Sequence, residues 1–449
     1  MTTQDVLDRF VDKCPLAVMA RSIIEALLGD QLNEVFERNR SRQYDHIIPF
    51  SVLAMSMAEI VIGATPNRHQ AYVKFKEEIR VSVIAYYKKL NNVEPSISEA
   101  VVQYSADRAA EMLDELDFSP RIVLPGYRCF VIDGNHLQKT EKRLKQTRGL
   151  CAAPLPGIIV ARYDLQNCLL DRAYLLEDAH AQESSVLGRL LDDLLERDLV
   201  IADRHFCIVQ FCFDVDARRA CFVIRQHGRL KGEIPSVRRR IGRTATGMVY
   251  ESPLVISNGT VTMTVRRITV ELDEPTREGD KEIHILSNVP EADASACELA
   301  TLYHQRWEIE NAFHVLTMTF ACESKSNCKP RCALFQFCMA MFAYNCWQIQ
   351  LASLCAEHAK ESVDRMSQYQ VAVDTVSSMD GMLVAIDEEE WEELTPRDVA
   401  GLATFLREVS RRVDVRAYRK SVRGPKKPPP KRKRCKNGTH VSTHRLLRE

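Results

Sequence analysis

The segment 296–320 has the sequence ACELATLYHQRWEIENAFHVLTMTF and contains neither proline nor glycine. Its apolar residues recur at helical spacing, which predicts one long amphipathic helix. Tyr303, Arg306 and Glu310 lie at positions i, i+3 and i+7, so they share one polar stripe. Taken alone, Arg306 and Glu310 would be an i, i+4 ion pair on a solvated face, worth about 0.3–0.5 kcal/mol. The apolar side is expected to pack on a core through Leu299, Leu302, Ile309, Phe313 and Leu316.

Two further stretches each end an apolar, strand-like run in an aspartate. Residues 127–136, YRCFVIDGNH, place Asp133 after the first run, and residues 199–206, LVIADRHF, place Asp203 after the second. A carboxylate at the end of a buried strand loses hydration, and a partner cation or a metal ion compensates for that loss. The order along the chain is therefore strand aspartate, strand aspartate, helix glutamate.

This combination resembles the DDE transposases of the insertion sequence four family. The signature of that family is Tyr, two residues, Arg, three residues, Glu, six residues, Lys. Here it is matched by Tyr303, Arg306 and Glu310, with Thr317 in place of the lysine. Asp133-Gly is similar to the family's first acid, and the DRHF motif that begins at Asp203 is similar to its second. The resemblance implies a ribonuclease-H-like α/β core, in which a mixed sheet is flanked by helices.

The resemblance also implies the chemistry of the site. Asp133, Asp203 and Glu310 are the expected catalytic residues, and they would hold two Mg²⁺ (or Mn²⁺) ions, with Asp133 bridging both. Hard divalent ions take oxygen ligands, and two ions about 3.5–4 Å apart stabilise the attacking and the leaving oxygen of a phosphodiester. Water would attack first and free a 3′-hydroxyl. That hydroxyl would then attack the opposite strand or the target DNA.

Basic and aromatic side chains around the acids are expected to contact double-stranded DNA. Arg306 has the fork geometry that suits a phosphate oxygen, and Tyr303 would hydrogen-bond the DNA backbone. Thr317 carries no charge, so we expect either a weaker grip on the DNA end or compensation by Lys325 for the missing lysine. Arg204 lies beside Asp203 and is a further candidate. In the later segment, the candidates that would line a groove along the DNA backbone are Arg238, Arg239 and Arg240.

Apolar periodicity predicts helical parts on either side of a central mixed sheet. Helices are expected at residues 6–28, 32–39, 49–62, 71–90, 97–116, 183–197 and 334–351. Strands are expected at residues 128–132, 157–163, 168–176, 199–202, 221–225, 248–256, 261–272 and 283–287. No glycine-rich turn joins a strand to a helix in the manner of a phosphate loop, which argues against a doubly wound nucleotide-binding sheet.

These elements divide the chain into six regions. They are a helical region that is expected to bind DNA ends (1–118), two parts of the catalytic core (119–226 and 284–351), a β-rich insertion domain (227–283), a helical dimerisation region (352–415) and a basic, disordered tail (416–449). The family implies a homodimer that assembles on paired DNA ends.

Charge is distributed unevenly, although the whole chain has a formal net charge of zero. From Arg416 to the end there are 13 Lys and Arg residues against one acid, so this tail carries +12 and the remainder −12. Such a tail can anchor the protein to DNA phosphates through counterion release. A nuclear-address-like function of residues 431–434, KRKR, is the alternative.

The fifteen cysteines have no framework spacing, which is typical of reduced thiols in a cytosolic protein. No apolar run resembles a signal peptide or reaches the length of a membrane span. We therefore expect a cytoplasmic, nucleoid-associated protein. Four cysteines raise the possibility of zinc, but their spacing lacks the usual pairs and favours buried thiols: Cys322, Cys328, Cys332 and Cys338.

Two other functions remain open at this stage. A transposase-derived protein that has lost catalysis would bind DNA without cutting it, and Thr317 in place of lysine is compatible with that. A metal-dependent nuclease with the same acids would hydrolyse DNA without joining strands.

Overall fold

In the computed structural model of this chain, the described residues are 2–44, 47–137, 157–178, 181–276, 279–324, 329–387, 398–420 and single positions at 390, 391, 393, 395, 396 and 424. They form a mixed sheet of nine strands flanked by helices, which confirms the predicted fold class. Within this part of the chain, no helix is both long and apolar enough to cross a membrane.

Eight helices precede the sheet: α1 Thr3–Lys13, α2 Pro15–Leu27, α3 Gln31–Asn39, α4 Phe50–Val61, α5 Arg68–Lys74, α6 Lys76–Ile79, α7 Val83–Leu90 and α8 Pro95–Glu115. The single helices that were predicted over 6–28 and 71–90 were wrong. Pro15 lacks a backbone N–H and begins α2, which splits the first. Arg80 adopts a left-handed conformation (φ 51°) that ends α6, and the Ser82 side chain caps α7.

The strands are β1 Arg128–His136, β2 Ile158–Asp164, β3 Leu169–Leu176, β4 Asp198–Ala202, β5 Cys221–Arg225, β6 Arg239–Thr244, β7 Gly247–Ser257, β8 Thr262–Leu272 and β9 Glu282–Ser287. Their order in the sheet is β3-β2-β1-β4-β5-β9-β8-β7-β6. The first three are antiparallel, whereas β1, β4 and β5 are parallel to one another. These first five strands have the ribonuclease-H-like arrangement that the sequence predicts.

The last four strands extend the same sheet. β9 pairs antiparallel with β5, and β8, β7 and β6 follow by antiparallel pairing, so the β-rich segment is continuous with the core strands. Asn288 fixes this junction, because its side-chain oxygen accepts from the Phe222 N–H (2.9 Å) and its amide donates to the Ala220 carbonyl (3.0 Å). β6 was not predicted, and the helix expected over 183–197 is shorter: a 3₁₀ turn at Glu183–Val186 leads into α9 Leu187–Asp192.

Side-chain alternation along β1 and β4 decides which way the two aspartates face. Cys129, Val131, Leu199 and Ile201 all belong to the core on one face of the sheet. Neighbouring side chains of a strand point to opposite faces, so Asp133 and Asp203 continue that same face. It is the face covered by α8, by α12 Trp307–Met318 and by α13 Pro330–Glu357. The opposite face packs on α9 and on α10 Val209–Ala217.

α13 is the central helix of the first core and is buried on nearly every side. Buried polar groups fix its position. Asn345 donates to Ser105 Oγ of α8 (2.8 Å) and to the Leu170 carbonyl of β3 (2.9 Å), and its side-chain oxygen accepts from the Leu170 N–H (3.0 Å). One side chain thus joins two helices and an edge strand.

Three further helices follow in the described residues: α14 Lys360–Asp364, α15 Gln368–Ala385 and a last one at Val399–Ser410. The predicted disordered tail lies outside the described residues except for 416–420 and 424.

Candidate active site

The segment 296–320 is two helices, so the prediction of one continuous helix was wrong. α11 Ala296–His304 begins with a capping box in which Ser295 and Glu298 bond each other's backbone N–H, and α12 starts at Trp307. Between them, the N–H groups of Gln305 and Arg306 donate to carbonyls three residues back, as in a 3₁₀ helix. No proline or glycine marks this turn, so the sequence gives no local signal for it. The predicted apolar side is buried as expected.

Asp133 lies on β1 opposite Ala161 of β2 and faces α12. Burial raises the pKa of its carboxyl to about 7, although the charge of Arg306 and a hydrogen bond from the Gly134 N–H to Oδ1 (2.9 Å) both oppose that rise. The negative charges of Glu183 and Asp203 contribute to the raised pKa. Asp133 is thus a desolvated acid that needs a nearby cation to stay ionised at neutral pH.

Asp203 follows β4 on the neighbouring parallel strand. Ile132 pairs with Ala202, so each aspartate comes directly after one member of the last pair of the β1–β4 ladder. Asp203 also caps a 3₁₀ turn at Arg204–Phe206, because its Oδ1 accepts from the His205 N–H (2.8 Å). The register therefore places the first two predicted acids side by side at one end of the sheet.

Arg306 joins the third acid to the first. Its Nη1 lies 2.7 Å from Glu310 Oε1 and 3.6 Å from Asp133 Oδ2. These two oxygens are therefore at most 6.3 Å apart, the sum of the two distances. The Arg306 side chain is only 13% exposed, whereas Glu310 is 39% exposed. Arg306 thus lies between two acids, and Glu310 is on the side that is open to solvent.

Two other members of the predicted stripe lie nearby. Tyr303 is packed against the core beside Arg306, and burial raises the pKa of its hydroxyl to about 12, so it stays protonated and can donate a hydrogen bond. Thr317 occurs where the family has lysine, and its hydroxyl donates to the Phe313 carbonyl one turn back (2.8 Å). Lys325, which was expected to compensate, lies outside the described residues.

The acids fit divalent metal ions in their chemistry. All three predicted ligands offer carboxylate oxygens, which Mg²⁺ and Mn²⁺ prefer. Two ions about 4 Å apart, each with oxygens at about 2.1 Å, can join ligand oxygens up to about 8 Å apart, so the span between Asp133 and Glu310 is compatible with a pair of ions. As the side chains stand, no three His, Cys, Asp or Glu residues of the described part are grouped to hold a metal ion. Instead, Arg306 contacts both Asp133 and Glu310.

A fourth carboxylate, Glu183, was not identified from the sequence. A Cβ on Gly134 would lie 2.1 Å from Glu183 Oε1, so the glycine allows this acid to approach β1 closely. Glu183 Oε2 is also 3.7 Å from His205 Nδ1. Gly134 lies beyond the strand predicted over 128–132, so the sequence carries no signal for this contact; the structure extends β1 to His136.

Arg204 lines an open cleft of about 640 Å³, and none of the three acids is among the residues that line it. The cleft carries basic and titratable side chains from several segments, namely His136, Glu183, His205, His227 and Arg229. Ile158 and Leu230 also line it, and they belong to the core on the face of the sheet opposite to Asp133.

Arg238, Arg239 and Arg240 lie away from the acids, at or beside β6. That strand is the outer edge of the sheet, six strand spacings from β1. Arg238 pairs with Glu282 (2.8 Å) and Arg239 with Glu291 (3.3 Å). The structure therefore brings the three acids, Tyr303 and Arg306 to one region. Arg204 lies in the cleft, and the three arginines lie at or beside the outer edge strand of the sheet.

Three of the four clustered cysteines are buried thiols, as the sequence favoured: Cys322, Cys332 and Cys338. Cys328 lies outside the described residues. The zinc alternative therefore gains no support from the geometry.

A segment of the chain that includes the three acids is similar to a known family of proteins. No curated protein matches the chain. The family model described as the transposase DDE domain matches residues 124–346, which extend from just before β1 into α13 and include Asp133, Asp203 and Glu310.

Proposed function

We propose that this chain is a transposase of the insertion sequence four type. It binds the terminal inverted repeats of an insertion element as double-stranded DNA and catalyses strand cleavage and strand transfer. The observation that carries this proposal is the convergence of Asp133, Asp203 and Glu310 at one end of the sheet, with Arg306 between the first and the third. The match of the same segment to the transposase DDE domain supports it.

Asp133, Asp203 and Glu310 are the residues that would hold Mg²⁺ or Mn²⁺. When bound, two such ions supply Lewis-acid stabilisation of the attacking and leaving oxygens. The chain's own residues do the remaining work. The neighbouring parallel strands β1 and β4 fix Asp133 and Asp203 next to each other, and α12 brings Glu310 to the same place. A fixed set of oxygens around the scissile phosphate lowers the cost of orienting it.

Arg306 and Tyr303 would orient the DNA. A guanidinium donates two parallel hydrogen bonds to a phosphate, which positions the phosphodiester as well as neutralising it. The protonated Tyr303 hydroxyl beside it donates one more. Arg204, in the cleft, would contact the strand where it leaves the acids.

The proposed partner in the DNA complex is a second copy of the chain. α15 exposes Tyr369, Val373 and Val384 on one stripe, since their spacing brings them within about 60° around a helix. This apolar stripe lies in the region expected to form the dimer. Sedimentation of the protein with paired DNA ends should show two copies per complex, and Val373→Glu should weaken that assembly.

Cleavage of supercoiled plasmid tests the proposed function. The plasmid carries the DNA that flanks the coding region, and it is incubated with the protein and Mg²⁺. We expect nicked, linear and joined products from the native protein and none from Asp203→Asn. Asparagine is itself a good capping residue, so this change removes the charge while keeping the 3₁₀ turn. Asp192→Asn, on the exposed end of α9, is the matched control and should cleave normally.

The same assay separates the alternatives. Plasmid that is bound but never nicked would identify a DNA-binding protein without catalysis. Nicked and linear products without joined strands would identify a nuclease that only hydrolyses.

A further inference from the structure

We infer that the guanidinium of Arg306 neutralises the acids of the site when no metal ion is bound. A DNA phosphate then replaces the acids as the partner of Arg306, so that divalent metal and DNA bind together. This inference rests on the proposed function and concerns the regulation of the same site. It assigns Arg306 two successive partners, first the acids and then a phosphate.

The contacts of one atom show the first partnership. Arg306 Nη1 is within ion-pair distance of both Asp133 and Glu310, two acids that belong to different elements. Arg306 itself lies in the 3₁₀ turn between α11 and α12. The pairing therefore fixes α12 against β1 as well as neutralising the two carboxylates.

Because of charge and burial, Arg306 and a divalent ion cannot both contact these two carboxylates at the same time. The carboxylate oxygens that Arg306 contacts are the ones that a divalent ion needs. A guanidinium and a divalent cation repel each other at such short range, most strongly where water is largely excluded. Because Arg306 is 13% exposed, it also needs an anionic partner wherever it stays in the site. Metal can bind fully only when Arg306 has another anion to contact.

A DNA phosphate is the anion that suits this exchange. Arginine binds phosphate through the same fork that it presents to carboxylates. The Nε of Arg306 is buried and has no hydrogen-bond partner within the described residues, so the two acids do not satisfy every donor of the guanidinium. Binding of a phosphate to Arg306 frees Asp133 and Glu310 for metal. By thermodynamic linkage, metal then strengthens the binding of DNA by the same factor.

Binding of Mn²⁺ to the DNA-free protein tests the first half of the inference. Unbound Mn²⁺ is measured by electron paramagnetic resonance, so the readout does not depend on activity. Arg306→Gln should bind Mn²⁺ about tenfold more tightly than the native protein, because the competing cation is gone. Arg306→Lys keeps a charge but reaches one carboxylate at a time, so its affinity should fall between the two. Thermal melts confirm that each variant is folded.

Arg121→Gln is the matched control. Arg121 lies 3.9 Å from Glu308, on the opposite side of α12 from Glu310, and its removal changes the net charge equally. Its Mn²⁺ affinity should equal that of the native protein. An equal gain in Arg121→Gln would mean that net charge alone sets the affinity, which would overturn the inference.

Adding a duplex of the flanking DNA tests the second half. Duplex should raise the Mn²⁺ affinity of the native protein about tenfold and that of Arg306→Gln much less. Two results would overturn the inference. One is an equal gain in Mn²⁺ affinity from duplex in both proteins, and the other is a DNA-free Arg306→Gln variant that binds Mn²⁺ no more tightly than the native protein.

The variant Asp203→Asn distinguishes a failure of this inference from a failure of the proposed function. If Asp203→Asn weakens Mn²⁺ binding while Arg306→Gln leaves it unchanged, the metal site stands and only the exchange is wrong. If Mn²⁺ binding by the native protein and by Arg306→Gln does not depend on Asp203, both the inference and the proposed function fail.

Discussion

The core strands β1 to β5 and the extension strands β6 to β9 belong to one sheet but differ in burial. β4 is buried at every position and β2 at all but its last, because helices cover both faces. β7 alternates between buried and half-buried residues, and β6 is largely exposed. The extension therefore has one covered face, as antiparallel sheets commonly do.

This difference in burial gives charged side chains two different environments. In the core, an acid at the end of a covered strand is desolvated, and burial raises the pKa of Asp133 to about 7. In the extension, charged side chains pair with one another in contact with water, as Arg243 and Asp273 do at 2.6 Å. Chemistry that needs a perturbed group belongs to the first setting. The second suits weak, additive contacts with a charged partner.

The largest expected contrast is between Asp133→Asn and Arg238→Gln. Asp133→Asn should lower plasmid cleavage at least about 10⁴-fold, because it removes a proposed metal ligand. Arg238→Gln should weaken DNA binding only a few fold and reduce the slope of log affinity against log salt by about one. Filter binding over a salt series measures the second effect. Comparable losses of cleavage in both variants would contradict the division between core and extension.

Two ion pairs give the next contrast. Arg162 and Asp171 are buried in the core, at 4% and 15% exposure, and form a bidentate pair. Arg162→Gln removes the close partner of Asp171, which keeps a longer contact with Arg172 (3.9 Å), and should lower the free energy of unfolding by about 3 kcal/mol. Arg243→Gln breaks the exposed extension pair and should cost less than about 0.5 kcal/mol. Urea unfolding of both variants measures the difference, and similar costs would show that burial does not control it.

Two asparagines give a smaller contrast. Asn345→Ala leaves the buried N–H and carbonyl of Leu170 unpaired and should cost about 2–3 kcal/mol. Asn258 accepts from the N–H groups of Thr260 and Val261 at the exposed turn between β7 and β8, where water can replace it. Asn258→Ala should cost about 0.5–1 kcal/mol in the same urea experiment. A larger cost for the turn than for the core would contradict this account.

The smallest expected effect is the pH dependence caused by Asp133. Its folded pKa of about 7 lies above the ordinary value of about 3.9, so the folded state binds more protons than the unfolded state between these values. In EDTA, the native protein should therefore lose stability as the pH rises from about 4 to 7. Asp133→Asn should be more stable than the native protein by about 1–2 kcal/mol at pH 7.5 and equal to it near pH 4. A difference that does not change with pH would show that Asp133 is not the cause.

Local signals explain which elements the sequence predicts. The core strands at 128–132, 199–202 and 221–225 are apolar runs bounded by polar residues, and the structure has strands at each place. β6 contains three arginines and no apolar alternation, so its strand conformation depends on pairing with β7. A single sequence carries no signal for such long-range pairing. The fold class was predictable, but the far edge of the sheet was not.

The candidate site was predictable where order and motif specified it. The resemblance singled out Asp133, Asp203 and Glu310, and the structure places them at one end of the sheet. The sequence assigned Arg306 to an ion pair with Glu310 or to a DNA phosphate, because spacing along a helix does not reveal its contact with Asp133 on a strand. Glu183 is one of 61 acidic residues, and only the fold brings it against Gly134.

The continuity of the sheet across β5 and β9 has a consequence for a chain that is still being synthesised. The first two acids precede the extension in sequence, and Glu310 follows it, in the second helix after the strand that Asn288 fastens to the core. A nascent chain with its first five strands formed has only an incomplete set of acids. The third acid can join the first two only after the extension strands have been synthesised, so the growing polypeptide completes the set of acids late.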